Sequence, residues 1–246
     1  MAKEKIIVWD KGHSNTDPGA VGYVRERDVI VKTVDYAIAF MEVNYKCKNI
    51  ETLPGDSLMK RCAKANAQKA DLFVSVHFNS FKPEKGDGYE ALVFGPETKD
   101  LGECFEKHVK SVGQNSRGVK YRPDLAVLKY TNMPAILNET AFVDTKADIK
   151  DWDEDHELKK MGEEYAKAAA EYLNLEKKKS SGTKYKTLTD LNLRKSADLK
   201  SQALDVVPKG TVLSGAEILG GWLKTKYNGK SGYVRVKGQN VYCERV

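Results

Sequence analysis

Ile6-Ile7-Val8-Trp9-Asp10-Lys11-Gly12-His13 is the stretch from which the rest of the chain can be read. Ile6-Ile7-Val8 is a short apolar, β-branched run of the kind that forms a buried strand. The pattern breaks at Gly12 and stays broken through Asp17-Pro18-Gly19. His13 therefore stands where a strand ends and a polar loop begins. In open α/β sheets, sites are built outside the carboxyl ends of strands. A second apolar run, Leu72-Phe73-Val74-Ser75-Val76, ends on His77. Two strands that each deliver a histidine at the carboxyl end form a constellation.

Outward from this stretch, Glu26-Arg27-Asp28 opens a helical pattern. Val31, Val34, Ile38 and Met41 recur at three- and four-residue steps, widened by Val29 and Ala37. A strand is expected over 49–53, ended by Pro54-Gly55. Asp56 or Ser57 can then cap a helix to about residue 69, with Leu58, Cys62 and Ala65 inward. A strand over 89–94 and a helix over 99–112 follow. Residues 125–130 and 135–137 are strand-like, 144–154 is acidic and irregular, and 157–173 is a last helix. This alternation predicts an α/β fold, a mostly parallel sheet flanked by helices on both faces.

Lys177-Lys178-Lys179-Ser180-Ser181-Gly182 holds no apolar residue and reads as a linker. Beyond it, short β-rich runs are divided by Pro208-Lys209-Gly210, Gly220-Gly221 and Asn228-Gly229, the last a hairpin signal. The expected organisation is a first domain over 1–175, a linker over 176–184 and a small all-β barrel over 185–246.

Charge follows the same division. Residues 1–175 carry a net −3, 176–184 carry +3, and 185–246 carry +6. The basic excess of the last module suits an anionic surface. A mean hydropathy of −0.55 fits a soluble globular chain, and no apolar run is long enough to span a bilayer. The first residues lack the apolar core of a secretory leader, so synthesis and initial retention in the cytoplasm are expected. Cys47, Cys62, Cys104 and Cys243 lie far apart with no CxxC pair. They are expected to be reduced, with neither a disulfide frame nor a cysteine metal site.

Three candidate ligands lie near strand ends: His13, Glu26 and His77. Zinc accepts two imidazoles and one carboxylate, with a fourth position left for water. Glu139, after the apolar run Ala135-Ile136-Leu137, could shuttle the proton that such chemistry needs. Each residue also has a plainer role. A histidine at a strand end is more often structural than a ligand. Glu26 suits a helix N-terminus by charge alone, and Glu139 could be a loop acid. Glu90 is a competing carboxylate, though it sits inside an expected strand. Asn79 could orient His77, contact substrate or simply form a turn. His108 and His156 lie in charged contexts and read as surface residues.

Three blocks together carry a resemblance. Asp10-Lys11-Gly12-His13, then Asp17-Pro18-Gly19-Ala20, then Glu26 resembles the opening of the zinc-dependent N-acetylmuramoyl-L-alanine amidases. Leu72 to Ser80 (LFVSVHFNS) and Pro134 to Phe142 (PAILNETAF) resemble two further blocks of that family, in the same order and at similar distances. The resemblance implies His13, Glu26 and His77 as zinc ligands and Glu139 as the catalytic carboxylate. Lys11 stands where the family commonly has proline, Ser14-Asn15 where it has a glycine pair, and Ala141 where it has glycine. None of these removes a ligand.

Leu191-Asn192-Leu193-Arg194 and the run from Gly221 to Val234 (GWLKTKYNGKSGYV) resemble blocks of bacterial SH3-like domains, small barrels that often bind cell-wall peptide or polymer. Trp222, Tyr227 and Tyr233 could form a stacking surface; Trp222 and Tyr233 could equally fill the barrel core.

The resemblance implies hydrolysis of the amide between N-acetylmuramic acid and L-alanine in peptidoglycan, with the last module gripping wall peptide or an anionic polymer. Without a leader, a phage or prophage endolysin that reaches the wall after release is the expected setting. The alternatives are a zinc peptidase cutting the stem peptide and a non-catalytic wall binder. Nucleic acid ranks last as a partner, since the basic tail carries no RNA-binding or helix–turn–helix signature.

Overall fold

The computed structural model describes residues 3–178, 183–218, 220–238 and 240–246. The chain divides into two compact units, Met1–Lys178 and Lys179–Val246.

The first unit holds a six-stranded sheet. Its strands are β1 (Ile6–Lys11), β2 (Lys48–Glu51), β3 (Leu72–Asn79), β4 (Tyr89–Val93), β5 (Ser116–Tyr121) and β6 (Ala135–Phe142). Their order is β2-β1-β3-β6-β4-β5. All neighbours pair in parallel except β4 with β6. The helices are α1 (Glu26–Asn44), α2 (Leu58–Ala67), α3 (Lys99–Ser111), α4 (Ala126–Lys129), α5 (Lys146–Ile149) and α6 (Asp155–Tyr172).

Strand alternation sorts the side chains onto two faces. Ile7, Trp9, Leu72, Val74, Val76 and Ile136 pack with apolar residues of α1, α3 and α6. Val8, Phe73, Leu92 and Leu137 face the other way, onto Cys62 and Ala65 of α2 and Val127 and Leu128 of α4. At the carboxyl ends of the parallel strands the same alternation places Asp10, Ser75, His77 and Glu139 on this second face, with Glu90 of the antiparallel β4 opposite Glu139. The expected layering is therefore present, and the candidate site lies at the carboxyl ends of the parallel strands on the α2 and α4 side.

Several local expectations change. Residues 125–130 contain the short helix α4 instead of a strand. Its four residues bury Val127 and Leu128 against α2, and an apolar run this short does not distinguish helix from strand. Leu58 in α2 is 55% exposed, while Arg61 takes an inward position at 4%. Residues 176–178, placed in the linker by composition, bond back to the end of α1. Lys46 N–H donates to the Glu176 carbonyl and Lys178 N–H to that of Asn44. Of the rest of that stretch, 179–182 lie outside the described residues, and Thr183 already begins a strand.

The second unit is all-β. Its strands are β7 (Thr183–Thr187), β8 (Leu191–Arg194), β9 (Ala203–Val207), β10 (Val212–Ile218), β11 (Trp222–Tyr227), β12 (Lys230–Arg235) and β13 (Cys243–Arg245). They join in the order β13-β7-β10-β11-β12-β8-β9, every pairing antiparallel. Leu193, Leu213, Leu223 and Val234 form the centre of its core. Asn228 and Gly229 both take positive φ, 47° and 77°, as a two-residue turn between twisted strands requires. Trp222 is buried at 3% exposure, with the Arg235 guanidinium 5.3 Å from its ring. Tyr227 packs in part against the core.

Candidate active site

β1 and β3 are adjacent parallel strands, so the two histidines that follow their apolar runs emerge at the same end of the sheet. Glu26, the first residue of α1, lies between them and is 3% exposed. Its Oε2 is 3.0 Å from His13 Nε2, and its Oε1 is 3.0 Å from His77 Nδ1. Backbone N–H groups hold the same carboxylate, Ala20 donating to Oε2 at 2.8 Å and Phe78 to Oε1 at 3.0 Å. The imidazole centroids are 4.9 Å apart at an interplanar angle of 72°. Asp17 Oδ2 lies 3.0 Å from His13 Nδ1, as an outer partner that orients the ring.

Two glycines make this approach possible. A Cβ on Gly12 would sit 2.4 Å from His77 Cε1. One on Gly19, whose φ is +69°, would sit 2.4 Å from Glu26 Oε2 and 2.5 Å from His13 Cδ2. Both positions exclude a side chain because the cluster already fills the space.

Glu139 is the register partner of His77 on β6. It lies within the strand, not after it, because β6 runs on to Phe142. Its Oε2 is buried without a hydrogen-bond partner. Burial pushes this carboxyl up to about 7; the positive His77 opposes the rise, and the negative Glu26 and Glu90 add to it. The hydrogen bond to Glu26 raises His13 to about 9 against the opposing effect of burial. For Glu26, burial works upward, but the bonds to His13 and His77 outweigh it and hold the group at about 2.

The residues present fit a metal ion. One donor atom from each of His13, Glu26 and His77 can be chosen so that all lie within 4.8 Å of one another. Two imidazoles and a carboxylate form a borderline donor set suited to zinc and its neighbours. The orphaned oxygen of Glu139 is a polar atom that the protein alone leaves unsatisfied.

Other readings resolve differently. Glu90 is 8% exposed, and its Oε1 accepts from Arg117 Nε and Lys120 Nζ, both at 2.5 Å. Asn79 ends β3, and its side chain caps the Ser80 N–H at 2.9 Å. His156 is exposed as expected, at 80% of its side chain. His108 is not a surface residue. Its side chain is 14% exposed, with Nδ1 2.9 Å from Glu164 and Nε2 3.0 Å from Glu171, because α3 packs on α6. All four cysteines are free.

Sequence reasoning missed the support behind His13. Asp10, 1% exposed, accepts from Thr52 Oγ1 at 2.7 Å, Ser75 Oγ at 2.6 Å and Arg61 Nη1 at 2.9 Å. The signal available was a lone aspartate following an apolar strand. Lys11 turns away from this network to Asp35 and Glu51.

A sheet that gathers two histidines and two glutamates at one end, one glutamate holding a buried oxygen without a partner, defines a hydrolase-type α/β domain. Comparison with known proteins narrows that class. Residues 7–171 match the N-acetylmuramoyl-L-alanine amidase family, and residues 189–240 match the bacterial SH3 domain. The endolysin of Bacillus phage SPP1 is 37% identical over 192 residues, covering 73% of this chain and 69% of that protein. The N-acetylmuramoyl-L-alanine amidase LytC of Bacillus subtilis is 34% identical over 157 residues, covering 58% of this chain and 30% of that protein. Among solved structures, the catalytic domain of CwlV, an N-acetylmuramoyl-L-alanine amidase from Paenibacillus polymyxa, superposes with a TM-score of 0.65 at 25% identity. The match covers 70% of this chain and 99% of that one. The chain belongs to the N-acetylmuramoyl-L-alanine amidase family, and it carries a bacterial SH3 domain after the amidase domain.

Proposed function

We propose that the first unit is a zinc-dependent enzyme that hydrolyses the amide joining the lactyl group of N-acetylmuramic acid to L-alanine in peptidoglycan. The observation that carries this reading is the buried, unpartnered Oε2 of Glu139 beside the His13–Glu26–His77 cluster. His13, Glu26 and His77 would hold the zinc. When bound, zinc supplies a Lewis acid for the amide carbonyl and acidifies a water.

The chain's own residues do the rest. Glu139, ionised, accepts a proton from the attacking water as the carbon–oxygen bond forms. It then returns that proton to the leaving nitrogen of L-alanine as the carbon–nitrogen bond breaks. A carboxyl held near 7 suits both halves of the task, since acid–base groups work best near the operating pH. Asp17 keeps the His13 ring in place, and the backbone donors of Ala20 and Phe78 fix the Glu26 carboxylate.

The wall-retaining role goes to the second unit. Its net +6 over 185–246 supports contact with an anionic wall, through peptide or polymer. The place of action is the cell wall, reached after synthesis in the cytoplasm.

Digestion of purified walls tests the reaction. New L-alanine N-termini without new reducing sugar ends are expected. Reducing ends, or N-termini from within the stem peptide, would overturn the bond assignment.

A further inference from the structure

Behind the candidate ligands the fold buries two guanidiniums. Arg61 of α2 is 4% exposed and Arg27 of α1 is 6% exposed. Positive charge so close to a dication site opposes cation binding. Buried ion pairs are also weak contributors to stability by themselves. Their placement needs another reason, and the hydrogen bonds supply it.

Arg61 Nη1 donates to Asp10 Oδ1 at 2.9 Å and to the Lys11 carbonyl at 2.8 Å. Its Nη2 donates to the His13 carbonyl, and its Nε to the Asp56 carbonyl at 3.0 Å. Arg27 Nη1 donates to the Gly12 carbonyl at 3.0 Å. Three consecutive carbonyls, those of Lys11, Gly12 and His13, are thus held by two side chains from two helices. Asp10 is itself pinned by Thr52 and Ser75, so the Arg61 fork has a fixed base. The segment so held is conformationally unusual. His13 has φ +63°, in the left-handed region that a residue with a Cβ seldom adopts.

We infer that Arg61, anchored by Asp10, is a positioning residue for the metal centre. It fixes the His13 backbone in its left-handed conformation and thereby aims the imidazole at Glu26 and His77. Without the fork, the His13 peptide relaxes to an ordinary conformation and its ring leaves the cluster. The inference rests on the reading of His13 as a zinc ligand.

The test compares full-length wild type, Arg61→Lys and Ser75→Ala. Zinc affinity is measured by chelator competition, and the visible spectrum is recorded after loading with cobalt. Arg61→Lys keeps a cation on Asp10 but has no planar fork to reach two carbonyls together. It is expected to weaken zinc about 10- to 100-fold and to change the cobalt spectrum, with far-ultraviolet dichroism retained. Ser75→Ala removes one hydrogen bond from Asp10 and is expected to weaken zinc about threefold. Arg61→Lys protein with wild-type zinc affinity and cobalt spectrum, altered only in melting temperature, would overturn the inference. If Arg61→Lys does not fold, Ser75→Ala decides: unchanged affinity and spectrum overturn it. Wild type that binds no zinc would overturn the parent reading instead.

Discussion

Two clusters in the first unit are built from similar parts. One joins His13, His77 and Glu26; the other joins His108, Cys104 and Glu171, with Glu164 beside them. Both bring donor atoms within 4.8 Å of one another. They differ in how their charge is compensated. Glu171 is paired with Lys107 at 2.6 Å and Glu164 with Lys167 at 2.6 Å, and burial pushes the Cys104 thiol up to about 11. Every acid there already has a cation, and the thiol resists becoming a thiolate. In the first cluster no lysine touches Glu26 or Glu139 among the described residues, and Glu139 has a buried oxygen with no partner. Ligand spacing alone does not separate the two clusters; the unpartnered Oε2 of Glu139 beside the first does.

The largest expected effect is at Glu139. Glu139→Ala should lower amide hydrolysis by roughly 10²–10⁴-fold while zinc content stays at one per chain, checked by product release and metal analysis. Loss of zinc in that variant would place Glu139 among the ligands. The second effect sharpens the contrast between the clusters. His13→Ala should lose zinc on dialysis, whereas His108→Gln should retain it. Two zinc ions per wild-type chain, one of them lost with His108, would erase the distinction.

The third effect is on pH. His13 is held at about 9 in the metal-free protein, so zinc must displace a proton at neutral pH. Apparent zinc affinity should fall by at least about tenfold per pH unit as pH drops below 9, since His13 and the likewise raised His77 must both give up protons. In the metal-free protein the His13 contribution to stability is complete below its unfolded value of about 6.5 and is lost as pH rises through about 9. The Glu26 contribution runs the other way, complete above about 4.5 and lost as pH falls through about 2. The melting temperature of metal-free protein should therefore decline between pH 6.5 and 9. His13→Gln should reduce that slope, leaving the part due to His77, on which burial works downward but which its bond to Glu26 also raises; an undiminished slope in the variant would assign it to another group.

The smallest effect is at the second cluster. His108→Gln should cost about 1–2 kcal/mol from hydrogen bonds to charged partners, a fall of about 2–8 °C in melting temperature, with wall lysis unchanged.

What was readable in advance follows the strength of periodic patterns. The two histidine-ending strands, helix α1 and helix α6 have long or clean apolar repeats, and the layered α/β order follows from them. β5, Ser116–Tyr121, is an edge strand carrying two basic residues and Gly118, so its alternation is too weak to detect. The antiparallel direction of β4 depends on pairing with β6, a non-local contact that no local pattern encodes. Within the site, His13, Glu26 and His77 could be named as candidates because strand ends and helix starts are marked in sequence, whereas Glu139 was legible through the family resemblance and sits inside β6, not at its end. Arg61 could not, because an arginine on an amphipathic helix is normally solvated, and only the buried Asp10 opposite it makes an inward position favourable. The sequence predicts His108 at the surface for a related reason: its two glutamate partners lie 56 and 63 residues away on another helix.

Anomalous diffraction at the zinc edge, from crystals of the zinc-loaded full-length protein, tests the metal assignment most directly. A single strong peak bounded by His13, Glu26 and His77, with the Glu139 carboxylate facing it, is the expected result. A peak at Cys104, His108 and Glu171 instead, or no peak at the ends of β1 and β3, would contradict the account.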